Sequence, residues 1–140
     1  MRQVVLDTET TGLSVEKDDV VQLGAVRVLK GRIVPGETVD TYVNPGRPIP
    51  PASTKVHHIS DDMVADAPDF ARVCADFHVF ARDAVMVAHN APFDMAFLHQ
   101  TGRAHGLAFD HPVLDTVLLS AVVFGGSATH TLDALCERLN

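Results

Sequence analysis

The sequence predicts an α/β domain built on a mixed β-sheet covered by helices. Three runs rich in apolar and β-branched residues, 2–7, 20–29 and 33–44, follow one another across short polar breaks, the pattern of an antiparallel meander. A continuous apolar run at 84–89 comes later, behind an amphipathic stretch, as a buried parallel strand reached through a helix would. From there helical patterns alternate with one further short run, which places helices around the sheet.

Each element has its own signal. Val4-Val5-Leu6 opens strand one, and "VVQLGAVRVL", beginning at Val20, is strand two. Gly31 turns the chain into "IVPGETVDTYVN", whose Pro35-Gly36 pair predicts a bulge or interruption near a sheet edge. Segment 44–53 carries four prolines and reads as a loop, with a short helix at 53–57. Over 67–82, Phe70, Val73, Cys74, Phe77, Phe80 and Ala81 recur at spacings of three and four, which predicts an amphipathic helix. After "AVMVAH", Asn90 is expected to cap a helix over 91–104 that tolerates Pro92 in its first turn. Gly106 ends that region. A strand at 112–115 leads into helices at 116–124 and 131–139, the last with Leu132, Leu135, Cys136 and Leu139 on one face.

Composition narrows the function classes. A chain of 140 residues, 46% hydrophobic and 21% charged, suits one ordinary globular domain. A net charge of −7 argues against coating duplex nucleic acid through a broad basic face. It is compatible with gripping a few nucleotides through cations held in an acidic pocket. Cys74 and Cys136 lie far apart at helical apolar positions and are expected as buried free thiols. No apolar run reaches the roughly 18–20 residues of a membrane span. The N-terminal apolar stretch is too short for a secretory signal, so the cytoplasm is the expected location, with no membrane partner.

The chemistry starts in "VVLDTETTGL". Residues i and i+2 of a strand share a face, so Asp7 and Glu9 point the same way at the end of strand one. Like charges so close raise each other's pKa, and a divalent cation removes that penalty. Oxygen donors suit Mg²⁺ or Mn²⁺ rather than zinc. Taken alone, the pair fits a solvated strand end equally well. In "VAHNAPFD", Asp94 falls in the first turn of a helix, where the macrodipole favours a carboxylate, yet its neighbours Phe93, Ala96 and Phe97 are apolar. Three carboxylates are thus delivered to strand ends.

"DTETTGL", "VNPGRPIP", "TKVHHIS", "VAHNAPFDMAFL" and "VLDTVLL" resemble, in order and spacing, the DnaQ-like (DEDDh) proofreading 3′→5′ exonucleases, the family of the epsilon subunit of bacterial DNA polymerase III. The resemblance spans essentially the whole chain. It implies a ribonuclease H-like fold of about five strands and a single exonuclease domain over 1–140. It also implies a two-metal mechanism with Mg²⁺ or Mn²⁺, in which cations roughly 3.5–4 Å apart activate water and stabilise the leaving oxygen. On matching positions Asp7 and Glu9 would ligate the metals, Asp7 bridging, and Asp94 would support the second ion through water. The backbone around Thr8 and Thr10 would hold the terminal nucleotide. Leu13 and Val56 would pack on its base, with His57, Asn90 and Phe93 nearby, although Leu13, Val56 and Phe93 read equally well as core. The implied partners are single-stranded or frayed 3′ ends of DNA, or of RNA, and a polymerase subunit.

The family's third motif, a histidine general base and an aspartate beyond four intervening residues, follows the helix that here ends at Asn140, and nothing in the chain stands in that place. These residues are then a fragment or a shortened protein, expected to act weakly, since losing a positioned base costs about 10²–10⁴-fold. The alternatives are a non-catalytic binding module of the same fold and an RNA-trimming relative. Gln22 stands where many relatives are acidic, and His58 where glycine is common, suggesting close backbone approach there. The other histidines have plain readings: His78 and His99 exposed on helices, His105 and His111 in loops, His89 ordering its junction and His130 structural.

Overall fold

A computed structural model of the chain describes residues 1–126 and 128–140. The elements run β1 (Arg2–Thr10), β2 (Val20–Leu29), β3 (Arg32–Tyr42), α1 (Pro51–His57), α2 (Asp61–Val64), α3 (Phe70–Phe80), β4 (Val85–Ala88), α4 (Ala91–Ala104), β5 (Val113–Asp115), α5 (Thr116–Phe124) and α6 (Leu132–Leu139). They form one five-stranded sheet in the order β3-β2-β1-β4-β5. β1–β2 and β2–β3 are antiparallel, and β1–β4 and β4–β5 parallel, as the meander and the later buried run imply. α2 had no counterpart in the sequence reading. It is a single turn, too short to show helical periodicity.

The alternation of β1 decides which residues are used for packing. Val4, Leu6, Thr8 and Thr10 are buried on one face. There Val4 and Leu6 join Val73, Cys74 and Phe77 of α3 and Met95 and Leu98 of α4 in the main core. Val5, Asp7 and Glu9 point to the opposite face, where Val5 and Asp7 remain exposed. β1 reaches Thr10 rather than stopping at Asp7, so both carboxylates lie within the strand. β3 is the edge strand. Its ladder to β2 jumps from Val26↔Thr38 to Val28↔Ile33, the interruption that Pro35-Gly36 foretold.

A second small core of Val21, Ile49, Ile59 and Val64 pins the proline-rich loop and α2 against β2. Cys74 is buried as expected, but Cys136 is exposed, because on α6 only Leu135 is buried. His78 and His99 are half-buried rather than exposed. Their rings bond the carbonyls of Ala108 (2.9 Å) and Phe109 (3.2 Å), fastening the α4–β5 connection to the helices. No helix among the described residues is long and apolar enough to cross a membrane.

Candidate active site

The site lies where β1 outruns β4. Parallel pairing between them ends at Val5↔Val87, while β1 continues to Thr10. The edge of β1 past that point lies at the carboxyl ends of two parallel strands, the usual location for ligands in such sheets. Thr8 N–H, without a β4 partner there, donates instead to Asp94 Oδ1 at 2.9 Å, and the Thr8 hydroxyl donates to the same oxygen at 2.5 Å. Asp94 is only 1% exposed.

α4 delivers that carboxylate through its entry turn. Asn90 sits at the N-cap position, but its side chain makes no capping bond. It instead adopts a left-handed conformation with φ of 60°, which asparagine tolerates better than most residues. The chain thus turns sharply out of β4, and Asn90 N–H donates to Asp115 Oδ1 at 3.0 Å. Ala91, Asp94, Met95, Leu98 and Gly102 form the buried stripe of α4, so Asp94 occupies a core position with a carboxylate.

Charge and burial work against all three acids. Removal from water raises the Asp94 pKa to about 6, offset in part by the Thr8 hydroxyl and raised further by the charge of Asp7. Asp7 is itself shifted up by loss of water, with a hydrogen bond from the Thr8 backbone and the charge of His89 pulling the other way. Glu9 is raised by burial and by Asp7. Asp7 is the common neighbour, close enough in space to affect both of the others. Yet among the described residues no group of three or more His, Cys, Asp or Glu side chains is placed to hold a metal ion. The acids gather at one end of the sheet without closing into a cage. Their all-oxygen donor set fits a hard cation on the Asp7–Glu9 side.

The remaining candidates divide by accessibility. Leu13 is 90% and Val56 77% exposed, so neither is core. Phe93 is half-buried and packs on the main core. His57 uses both ring nitrogens: Nδ1 accepts from Ile59 N–H (3.1 Å), which leaves Nε2–H to donate to the Thr10 carbonyl (3.2 Å). Burial also lowers its pKa, so in this arrangement it holds α1 onto the turn after β1. The Thr10 hydroxyl donates to Gly12 O at 2.6 Å. His58 caps α1 with φ of 61°. A positive φ is a reason glycine suits that position.

Two groups near the acids went unremarked as site residues in the sequence reading. Asp115 Oδ1 caps α5 through Val117 N–H (2.9 Å) while bonding Asn90, tying the α4 and α5 starts together. His89 shares a cleft with Asp7, Val5, Val87 and Thr116 on the exposed face of β1. The Thr116 hydroxyl donates to Ala88 O (3.3 Å), so it accepts from His89 Nδ1 (2.9 Å) and leaves His89 Nε2 as the basic nitrogen. The sequence signals were the position of His89 beside "HNAPFD" and of Asp115 within "VLDTVLL" at the start of a helix.

A mixed five-stranded sheet in this order, covered by helices, is the fold of exonuclease-class domains. Residues 4–140 match the Exonuclease family, and the chain belongs to it. Members of this family generally depend on divalent metal ions. The chain is 61% identical over 137 residues to a DNA polymerase III subunit epsilon-like protein of Rhodobacter capsulatus, covering 97% of this chain and 20% of that protein. It is 37% identical over 147 residues to the DNA polymerase III subunit epsilon of Haemophilus influenzae, covering 99% and 57% respectively. It therefore spans from a fifth to little more than half of these relatives. Among solved structures, Exonuclease X in complex with 5′ overhanging duplex DNA is similar with a TM-score of 0.78 and 27% identity, over 98% of this chain and 72% of that one. Escherichia coli Exonuclease I bound to a dT13 oligonucleotide shares the fold, with a TM-score of 0.77 at 16% identity, over 88% of this chain and 29% of that one.

Proposed function

We propose that this domain hydrolyses phosphodiester bonds at the 3′ ends of DNA with Mg²⁺ or Mn²⁺, as a proofreading or repair exonuclease acting in the cytoplasm beside a DNA polymerase. The observation that carries the reading is the bond from Thr8 to Asp94, which joins this buried acid to the strand presenting Asp7 and Glu9. Asp7 and Glu9 would hold the divalent ion, and Asp94 would support a second one. Bound there, a divalent ion supplies charge stabilisation for the phosphate and a more acidic water. The chain's own residues orient the strand end: Leu13 and Val56 offer apolar surface to the terminal base, and Asn90 and Phe93 lie at the entry of α4. DNA rather than RNA is favoured by the relatives named for DNA polymerase III and by the DNA bound to Exonuclease X.

Residues 1–140 hold three of the family's four acids, and nothing stands in the place of its histidine base. Trimming of a single-stranded oligonucleotide in Mn²⁺ is therefore expected to be slow, about 10²–10⁴-fold below a site with a positioned base. It should vanish in Asp7→Ala and be slower still on the matched RNA. Brisk trimming that Asp7→Ala abolishes would overturn the account of the missing base, and trimming that survives Asp7→Ala would overturn the site. That the described residues form no closed three-ligand group favours one second reading, a non-catalytic binding module. Calorimetric titration with Mn²⁺ separates the two, since a pure scaffold binds none at Asp7 and Glu9.

A further inference from the structure

The turn after Glu9 is held by a set of charges that the proposed chemistry does not use. Thr11 is 2% exposed, and its hydroxyl is saturated. It donates to Asp18 Oδ1 (3.1 Å) and accepts from Asp19 N–H (3.0 Å) and Arg47 Nη2 (2.7 Å). Asp18 Oδ2 accepts from Ser14 N–H at 2.9 Å. Arg47 binds both neighbouring acids, Nη2 to Asp18 at 3.1 Å and Nε to Asp19 at 2.8 Å. The backbone closes the same ring, with Thr11 N–H on Asp19 O and Asp18 N–H on Ser14 O. Gly12 is pressed against this centre: a Cβ there would lie 2.4 Å from Asp18 Oδ2.

Leu13 stands on this ring, and it is 90% exposed. A short loop so heavily cross-bonded around a side chain that buries almost nothing is not explained by stability. Arg47 is 41% exposed, and ion pairs that open to water contribute little, about 0–1 kcal/mol. What the network does fix is position. Arg47 reaches the ring from the proline-rich loop that leads into α1. α1 in turn donates Ser53 Oγ to Thr11 O (2.5 Å) and His57 Nε2 to Thr10 O. Leu13 and Val56, both exposed, are thus carried on pieces bonded to one another.

We infer that Arg47 is a positioning residue: through Asp18 and Thr11 it fixes the turn that presents Leu13 as an apolar wedge to the terminal base of a bound strand. This rests on the functional reading above. Apolar contact with a base face is tolerant of sequence, so the wedge serves an end-trimming protein that must accept every base. Holding the backbone of the turn in place before binding removes the cost of ordering that loop.

The test is a double-mutant cycle on the full chain, reading anisotropy of a labelled short oligothymidylate in Ca²⁺. Leu13→Ala and Arg47→Ala should each weaken binding about 2–10-fold, the scale of one apolar contact or of ordering one short loop, and the double variant no more than either alone. Amide exchange at Thr11 and Asp18 should quicken in Arg47→Ala. Arg47→Gln replaces it if that variant melts well below wild type. Additive losses would mean that Arg47 grips the strand directly, and would overturn the inference, as would an Arg47 variant that binds normally while Leu13→Ala does not. A wild-type chain that fails to bind, or a Leu13→Ala variant that binds normally, would overturn the functional reading first and the wedge with it.

Discussion

Asp94 Oδ1 accepts hydrogen bonds from both the backbone N–H and the hydroxyl of Thr8, at 2.9 and 2.5 Å, and Thr8 lies between Asp7 and Glu9. A carboxylate from the fourth position of a helix is therefore fastened to the backbone between two strand carboxylates. This keeps three like charges at one end of a sheet while removing one of them almost wholly from water. The arrangement is costly for the metal-free chain, and that cost is measurable.

The pH dependence of stability follows from the direction of the Asp94 shift. Its pKa rises from the ordinary 3.8 to about 6 on folding, so between those values the folded chain binds a proton that the unfolded chain has lost. The contribution is fully present below 3.8 and is lost as pH rises through about 6; it amounts to roughly 3 kcal/mol at most. Asp7 and Glu9 shift the same way and add to the trend. Urea midpoints of the metal-free chain should fall across this window relative to those of Asp94→Asn. Parallel profiles for the two proteins would refute the assignment.

Asp94→Asn keeps an oxygen for Thr8 and discards the charge. Above the pH at which Asp94 ionises, the variant should be more stable than wild type by about 1–3 kcal/mol without metal, because an unpaired buried charge is removed. Any rise in melting temperature that Mn²⁺ gives wild type should shrink or vanish in the variant. A destabilised variant that still responds fully to Mn²⁺ would count against Asp94 as part of the metal site.

Gly12→Ala places a methyl group 2.4 Å from an Asp18 carboxylate held by Ser14, Thr11 and Arg47. The side chain cannot swing away cheaply, and a loss of about 1–3 kcal/mol is expected. Adding Asp18→Ala should recover part of that loss, making the two substitutions non-additive in chemical denaturation. Simple additivity would mean that the contact is not what excludes a side chain at 12.

His58→Gly should stabilise the chain, since a non-glycine residue at φ of 61° carries about 1–2 kcal/mol of left-handed strain. The extra freedom of glycine in the unfolded chain takes back part of it, leaving a net gain of about 0.5–1 kcal/mol. A lower denaturation midpoint for the variant would show that the His58 side chain supplies more than the strain it costs.

Thiol labelling distinguishes the two cysteines. Cys136 is exposed and should react at once with a thiol reagent. Cys74 is buried, and loss of water pushes its pKa to about 11, so it should react only as the chain unfolds. Equal rates in the native state would contradict the packing of α3.

The amino-acid order by itself determined the elements apart from the one-turn α2, and the pairing of acids along β1, because both depend on local geometry. Period-two alternation puts Asp7 and Glu9 on one face wherever the strand lies, and the spacing of Phe70 to Phe80 marks a helix face without reference to neighbours. The resemblance carried by "DTETTGL" and "HNAPFD" likewise pointed to the family before any contact was known. Only the tertiary structure decided that Asp94 bonds Thr8, that both nitrogens of His57 are spent on Thr10 and Ile59, and that Cys136 and Leu13 face water while Arg47 reaches across to Thr11. Each of these depends on which distant segments meet and how much water they exclude. Those are properties of the assembled chain, which no local periodicity encodes.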